Sequence, residues 1–300
     1  MDRLTYIDCT EKHTRSRGFL YQGTNSGDWF LKRNEFQRWA NEPRSGLLCA
    51  YGRRKFLDIW SYWPCNWWSN LVAGAGKTIL TWVSVLSSST TLTSNPGPHH
   101  RSIVIDALKR QHVDATVTFF YCEYQDADKC NPRNILSTIL SDLIRPLRPH
   151  FPPSLVSQVN DILASNAPAT IEQLGNMIRM ISNEHSRPFI VIDALDECDE
   201  RATLFPVLRQ ISQYASVLVT SRDERDIRRG LAQYVRYPIH IKSKDIADEI
   251  TTFVTIAVTY RVDAGSLCVG DDNLKEDIIR TLISGWDGMW ENLYPFDVTK

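Results

Sequence analysis

A chain of 300 residues, 43% hydrophobic and 23% charged, is long enough to bury a sizeable core as one α/β domain with flanking helical pieces. Its formal net charge of -1, without a Lys/Arg run, offers no broad electrostatic footprint for a phosphodiester backbone, which sets nucleic acid aside as a partner. The seven cysteines (Cys9, Cys49, Cys65, Cys122, Cys130, Cys198, Cys268) are odd in number and hold no C-x-x-C pair, which speaks against a disulfide framework or structural zinc and fits a reducing cytosol.

In chain order, residues 1–15 are polar and charged, unlike a signal peptide, and nowhere do 18 apolar residues run together. A cytoplasmic chain without a membrane span is expected. Residues 1–45 read as a helical lead-in, and the first strand is predicted over residues 47–51. Residues 54–72 then break the pattern: they hold Trp60, Trp63, Trp67 and Trp68, four of the nine tryptophans, with neither strand nor helix periodicity. Directly after them stands Ala73-Gly74-Ala75-Gly76-Lys77-Thr78, the second half of the Walker A pattern G-x-x-x-x-G-K-[ST].

The chemistry of that pattern explains its residues. Glycines let the backbone turn tightly and bring its N–H groups against phosphate oxygens, so Gly74, Ala75 and Gly76 are candidates for the cradle. Lys77 supplies a point charge at the outer phosphates, the Thr78 hydroxyl is a ligand for Mg²⁺, and the following helix N-terminus adds partial positive charge. Position 71, where the pattern has its first glycine, is Leu. A chance Gly-rich turn is the competing reading.

A second irregular stretch follows at residues 82–101, with Ser87-Ser88-Ser89-Thr90-Thr91 and Asn95-Pro96-Gly97-Pro98-His99-His100. Excising residues 54–72 joins Gly52-Arg53 to Ala73 and restores a complete Walker A after the first strand. Excising residues 82–101 joins Thr78-Ile79-Leu80-Thr81 to Ser102-Ile103-Val104-Ile105, giving one apolar-rich helix. Translated introns or a gene-model error account for both repairs; genuine insertions are the alternative. A surface loop lengthened on this scale costs only about 2 to 3 kcal/mol of closure entropy, so the fold tolerates it better than a phosphate site does. His99-His100 lacks a third ligand at useful spacing and reads as solvated loop.

Further strands are predicted over residues 116–121, 189–193, 216–220 and 234–241, apolar runs of the kind a strand buried on both faces needs. Residues 134–147 carry Ile135, Leu136, Ile139, Leu140, Leu143 and Leu147 at three- and four-residue spacing, a helix started by Asn131-Pro132-Arg133. Glu184-His185-Ser186 holds catalytic residue types, yet adjacency is not a triad and a turn explains it. Cys122 and Cys198 are expected to pack near strand ends.

Phe189-Ile190-Val191-Ile192-Asp193 is a buried strand ending in a carboxylate, as a Walker B element requires. Asp193 is the candidate for the Mg²⁺ shell beside Thr78, and Glu197 for orienting or deprotonating an attacking water, with Asp196 its rival. An acidic loop that merely solvates the strand end is the plainer reading. Val217-Leu218-Val219-Thr220-Ser221-Arg222 places a cation at the carboxyl edge, which makes Arg222 a candidate sensor of the γ-phosphate, against the plainer reading of a surface ion pair with Asp223 or Glu224.

Together, Gly-Ala-Gly-Lys-Thr, Phe-Ile-Val-Ile-Asp-Ala-Leu-Asp-Glu-Cys and Val-Leu-Val-Thr-Ser-Arg resemble the NACHT domain of fungal STAND proteins and nephrocystin-type domains, over roughly residues 23–250. Gly23-Thr24, Trp29-Phe30-Leu31, Phe36-Gln37-Arg38-Trp39, Phe119-Phe120-Tyr121-Cys122 and Asn131-Pro132-Arg133 are similar to that family's other landmarks. The resemblance implies a P-loop NTPase fold, three-layer α/β/α with a five-stranded parallel sheet interrupted by two irregular insertions. It places the nucleotide-binding core at residues 46–242 and a truncated helical extension, beginning the family's continuation at Gly288-Met289-Trp290-Glu291, at residues 243–300. Family members act as nucleotide-dependent switches with an N-terminal effector and C-terminal sensing repeats, and neither is expected within these 300 residues. The implied cofactor is Mg²⁺ with ATP or GTP, with slow hydrolysis resetting the switch; the implied partners are nucleotide and either a second copy or another protein. The competing reading is an interaction module, or a non-functional product, whose disrupted loop no longer holds nucleotide.

Overall fold

The computed structural model describes residues 5–9, 27–43, 45–52, 103–124, 126–147, 153, 156–157, 160, 167–263, 265 and 267–286. The phosphate loop (Gly74, Ala75, Gly76, Lys77 and Thr78), the segments 54–72 and 82–101, and Gly23, Thr24 and residues 288–291 lie outside the described residues.

Five apolar runs form the strands β1 (Leu47–Gly52), β2 (Thr116–Tyr121), β3 (Pro188–Asp193), β4 (Ser216–Arg222) and β5 (Val235–His240). They make one sheet in the order β2-β3-β4-β1-β5, and every pairing is parallel. β1, β3 and β4 are buried nearly throughout, which is why their sequences are continuous apolar runs and show no alternation. β5 is an edge strand whose buried and exposed residues alternate at its centre, and it carries Pro238, which an edge position tolerates. The strands differ from the expected ranges only at their ends: β1 and β4 run on to Gly52 and Arg222, β3 starts one residue earlier at Pro188, and β5 is shorter by a residue at each end.

The helices are α1 (Asp28–Leu31), α2 (Asn34–Asn41), α3 (Ile103–Gln111), α4 (Pro132–Ile144), α5 (Ile171–Ser182), α6 (Leu204–Ile211), α7 (Arg225–Leu231), α8 (Ser243–Asp263) and α9 (Asp272–Trp286). Period-two alternation along β2 and β3 assigns them to the two faces of the sheet. Phe119 lies under Lys109 of α3, and Phe189 meets Trp39 of α2 at 5.4 Å between ring centroids, so α2 and α3 cover one face. Thr118 points the other way and donates to Asp142 of α4 at 3.2 Å; α5 packs on α4, and α6 on α5. The result is three layers, helix on sheet on helix.

Local signals explain the helix starts. Asn131 caps α4 by accepting the Arg133 N–H at 2.9 Å, with Pro132 in the first turn where its missing N–H costs nothing. Thr170 and Gln173 form a reciprocal capping box at the start of α5. α4 stops at Ile144, short of the expected Leu147, and Arg145–Leu147 continues as a 3-10 turn because Pro146 has no N–H to extend the α-helical ladder. Trp39, fully buried between layers, satisfies its indole N–H on Gly46 O at 3.0 Å. Burying aromatic side chains such as Trp39, Phe36 and Phe189 contributes about 1.5 to 3 kcal/mol each, and the core they form is continuous from α1 to β5.

Candidate functional site

Across the carboxyl edge of the sheet the strands end, in spatial order, at Tyr121, Asp193, Arg222, Gly52 and His240. The strand order reverses about β1: the chain leaves it for the far edge, returns through β3 and β4 to one side, and finishes with β5 on the other. Open parallel sheets bind ligands outside their carboxyl ends at such reversals. Gly52, the last residue of β1 and the glycine that excision of residues 54–72 is expected to make the first of a Walker A, is registered beside Arg222 of β4, and its carbonyl accepts the Asp223 N–H at 2.7 Å.

Asp193 ends β3 with only 1% of its surface exposed. Its Oδ1 accepts the Thr220 hydroxyl from β4, and Thr220 Oγ1 in turn accepts the N–H of Ala194 at 3.0 Å. Ala194 turns the chain off the strand at φ 56°, a left-handed conformation costly for a residue with a Cβ. The backbone is therefore strained just behind the carboxylate, as often happens at a working site.

That turn leads into a 3-10 segment, Leu195–Glu197, which aims Asp196 and Glu197 in different directions. Asp196 folds back against β4: its Oδ1 accepts the Arg222 backbone N–H at 3.0 Å, and its Oδ2 lies 3.1 Å from Arg222 Nε. The second contact is an ion pair by distance, but the Nε–H is not aimed at the oxygen and forms no hydrogen bond although the atom is buried. The Asp196 side chain is 2% exposed and that of Arg222 20%. Glu197 turns toward β2, where its Oε2 accepts the Tyr124 N–H at 2.9 Å, and Tyr124 leaves its ring in solvent.

Arg201, in the 3-10 turn Arg201–Thr203, stitches the loops after β3 and β4 together. It donates to Asp196 O at 2.6 Å, to Asp226 Oδ2 at 2.8 Å, and to Glu224. Burial opposes the Arg201 charge, but Asp226 and Glu224 outweigh it and raise its pKa above the ordinary guanidinium value; Arg201 in turn holds the Asp226 carboxyl below the usual aspartate range.

The loop after β2 closes on the same region. Cys130 Sγ donates to Asp199 Oδ2 at 3.0 Å, and Cys198 Sγ to Asp199 O at 3.2 Å. Burial first, then the Asp199 carboxylate, pushes the Cys130 thiol up to about 11; burial pushes Cys198 up to about 12. Both serve as protonated donors packing a loop. Cys122 is buried beyond the end of β2, and its N–H pairs with Asp193 O at 3.0 Å. His185 sits in the turn before β3, with its ring between Thr116 Oγ1 and Leu143 O, each at 2.8 Å, and belongs to the scaffold.

Of the candidate residues within the described structure, Asp193, Asp196, Glu197 and Arg222 all lie at the carboxyl edge, and Asp196 and Arg222 are partners of each other. Lys77 and Thr78, with Gly74, Ala75 and Gly76, lie outside the described residues. Sequence reasoning gave no role to Thr220, quoted only as part of Val-Leu-Val-Thr-Ser-Arg, or to Arg201, a loop arginine outside every motif, because their roles depend on which strand neighbours which. The unspent Arg222 Nε is a donor that a phosphate oxygen could meet, and Asp193, which ends the neighbouring strand, is a carboxylate of the kind a divalent cation takes, although among the described residues no three His, Cys, Asp or Glu side chains gather to hold a metal.

Among the described residues, no helix is long and apolar enough to cross a membrane. No curated protein matches the chain. Residues 99–222 match the family model described as Nephrocystin 3, N-terminal, a span that begins before α3 and ends at Arg222. The stretch that carries Asp193, Asp196, Glu197 and Arg222 lies within that match, so there the chain is similar to the nephrocystin 3 N-terminal family.

Proposed function

We propose that the chain is the nucleotide-binding module of a NACHT-type switch of the STAND class, taking Mg²⁺ with ATP or GTP and hydrolysing it slowly. One observation carries the reading: β1 delivers the chain at Gly52 to a point beside Arg222, with Asp193 ending the next strand but one, so the entry to the phosphate loop, a metal-type carboxylate and a cation share one edge. In this reading Gly74, Ala75 and Gly76 wrap the phosphates, Lys77 neutralises the outer ones, and Thr78 with Asp193 holds the metal. Bound Mg²⁺ would offset the negative charge of the outer phosphates. Glu197 orients the attacking water, Asp196 being already engaged by β4, and Arg222 reads the γ-phosphate. A chain of this kind acts on a partner protein or a second copy through its change of state, in the cytoplasm.

Leu71 in place of the first glycine favours a second reading, an interaction module or inactive product that has lost nucleotide. Mg²⁺-dependent ATP and GTP binding, measured by calorimetry on the 300-residue chain and on one lacking residues 54–72 and 82–101, separates the two. The switch reading expects binding that Lys77→Ala abolishes, stronger in the shortened chain. Equal binding by Lys77→Ala and its parent overturns the switch reading, and no binding in either chain establishes the second.

A further inference from the structure

Resting on the nucleotide reading, we propose that Asp196 sets the preference of this site for a nucleoside triphosphate over a diphosphate, by holding the Arg222 guanidinium until an outer phosphate competes for it. Its two bonds to Arg222 differ in kind. The carboxylate is fixed by a backbone donor, Arg222 N at 3.0 Å from Oδ1, which stays in place wherever the Arg222 side chain points. The guanidinium contact is loose: Nε lies 3.1 Å from Oδ2, yet it is buried with no hydrogen bond. A buried charged donor left unspent is costly, so a phosphate oxygen that aligns with it gains more than the ion pair loses.

The frame around the pair does not depend on that contact. Arg201 holds the Asp196 carbonyl at 2.6 Å and is itself gripped by Glu224, from the loop that follows Arg222, and by Asp226 at 2.8 Å, in the first turn of α7. Arg222 can therefore turn toward an anion while Asp196 and both loops keep their positions. A ligand that ends one phosphate earlier leaves the pair intact and gains nothing from Arg222. Discrimination then equals the difference between a well-aligned phosphate bond and a poorly aligned carboxylate contact, and removing the carboxylate's charge widens it.

The test is calorimetric binding of Mg²⁺ complexes of a non-hydrolysable triphosphate and of the diphosphate, with adenine and guanine bases. It uses whichever chain, complete or lacking residues 54–72 and 82–101, binds nucleotide. Asp196→Asn keeps an oxygen for the Arg222 N–H and is expected to raise the triphosphate-to-diphosphate affinity ratio about tenfold, the scale of one charged hydrogen bond. Arg222→Gln is expected to bring the ratio close to one and to make Asp196→Asn silent in the double variant. The proposal is overturned if Asp196→Asn leaves the ratio unchanged while both nucleotides still bind, or raises it equally without Arg222. Should Asp196→Asn fail to fold, Arg222→Gln decides alone: a retained triphosphate preference overturns the proposal. Absence of all nucleotide binding in the parent chains is a different result, which removes the underlying reading and this inference with it.

Discussion

The Thr220 hydroxyl donates its proton to Asp193 Oδ1, so a side chain of β4 holds the carboxylate that ends β3. The same oxygen accepts the Ala194 N–H, which supports the left-handed turn behind the carboxylate. Thr220→Val keeps the shape and removes both bonds in a buried place. It is expected to lower the unfolding free energy by about 2 to 3 kcal/mol, with Thr220→Ser recovering most of it. Urea denaturation of the three chains measures this, and a Thr220→Val chain as stable as its parent would refute it.

The strands were legible because a sheet buried on both faces forces continuous apolar runs, and 116–121 was read to the residue. The start of α4 was legible because Asn131 and Pro132 act locally. What the sequence did not contain was the spatial order of the strands. That β4 lies between β1 and β3 decides that Thr220 meets Asp193 and that Arg222 stands between Asp196 and Gly52. Each of these is a contact over more than 20 positions, set by how the layers close. By sequence Arg222 reads as either a phosphate sensor or an ion-pair partner of Asp223 or Glu224; its ion pair is with Asp196, a partner that only the parallel register brings within reach.

Arg201 is the joint between the loops after β3 and β4, through Asp196 O, Glu224 and Asp226. Arg201→Met keeps the aliphatic stem and removes three bonds. With Asp226 half in solvent and Glu224 mostly buried, the expected loss is about 1 to 2 kcal/mol, between exposed and buried pairs. Arg201 depresses the Asp226 pKa, so this part of the stability is present above the usual aspartate value of 3.8 and is lost as pH falls through the lower folded value. Denaturation at pH 7 and pH 2.5 should therefore show the parent's advantage at the first and a much smaller one at the second. An advantage unchanged by acid would assign it to packing alone.

His185 carries a pH dependence of opposite origin. Leu143 O can only accept, so the ring's Nε2 bears the hydrogen, and in the neutral imidazole that burial favours Nδ1 accepts from the Thr116 hydroxyl. Burial lowers its pKa below the usual 6.5, and burial, then Arg187, does the same at His112. A depressed folded pKa means that stability is full above 6.5 and lost as pH falls through the folded value, with a slope of up to about 1.4 kcal/mol per pH unit for each histidine. Denaturation midpoints should drop between pH 7 and pH 5, and His185→Gln should flatten that slope, leaving the part due to His112. An unchanged slope in His185→Gln would remove His185 from the account.

Gly175 of α5 lies where α5 packs against α6, with no room for a side chain. A Cβ built there would stand 2.7 Å from Val207 Cγ1 and 3.4 Å from Cγ2, on α6. In an exposed helix Gly→Ala gains about 1 kcal/mol, but here the branched side chain of Val207 is buried and cannot swing into solvent. Overpacking of this kind costs about 1 to 3 kcal/mol, so Gly175→Ala should be net destabilising. Val207→Ala makes room by removing the atoms that clash, and in that background Gly175→Ala should turn neutral or stabilising. The sign of the coupling in this double-mutant cycle is the measurement: a favourable interaction between the two alanines places α5 against α6 as described, and simple additivity would mean that the helices stand further apart.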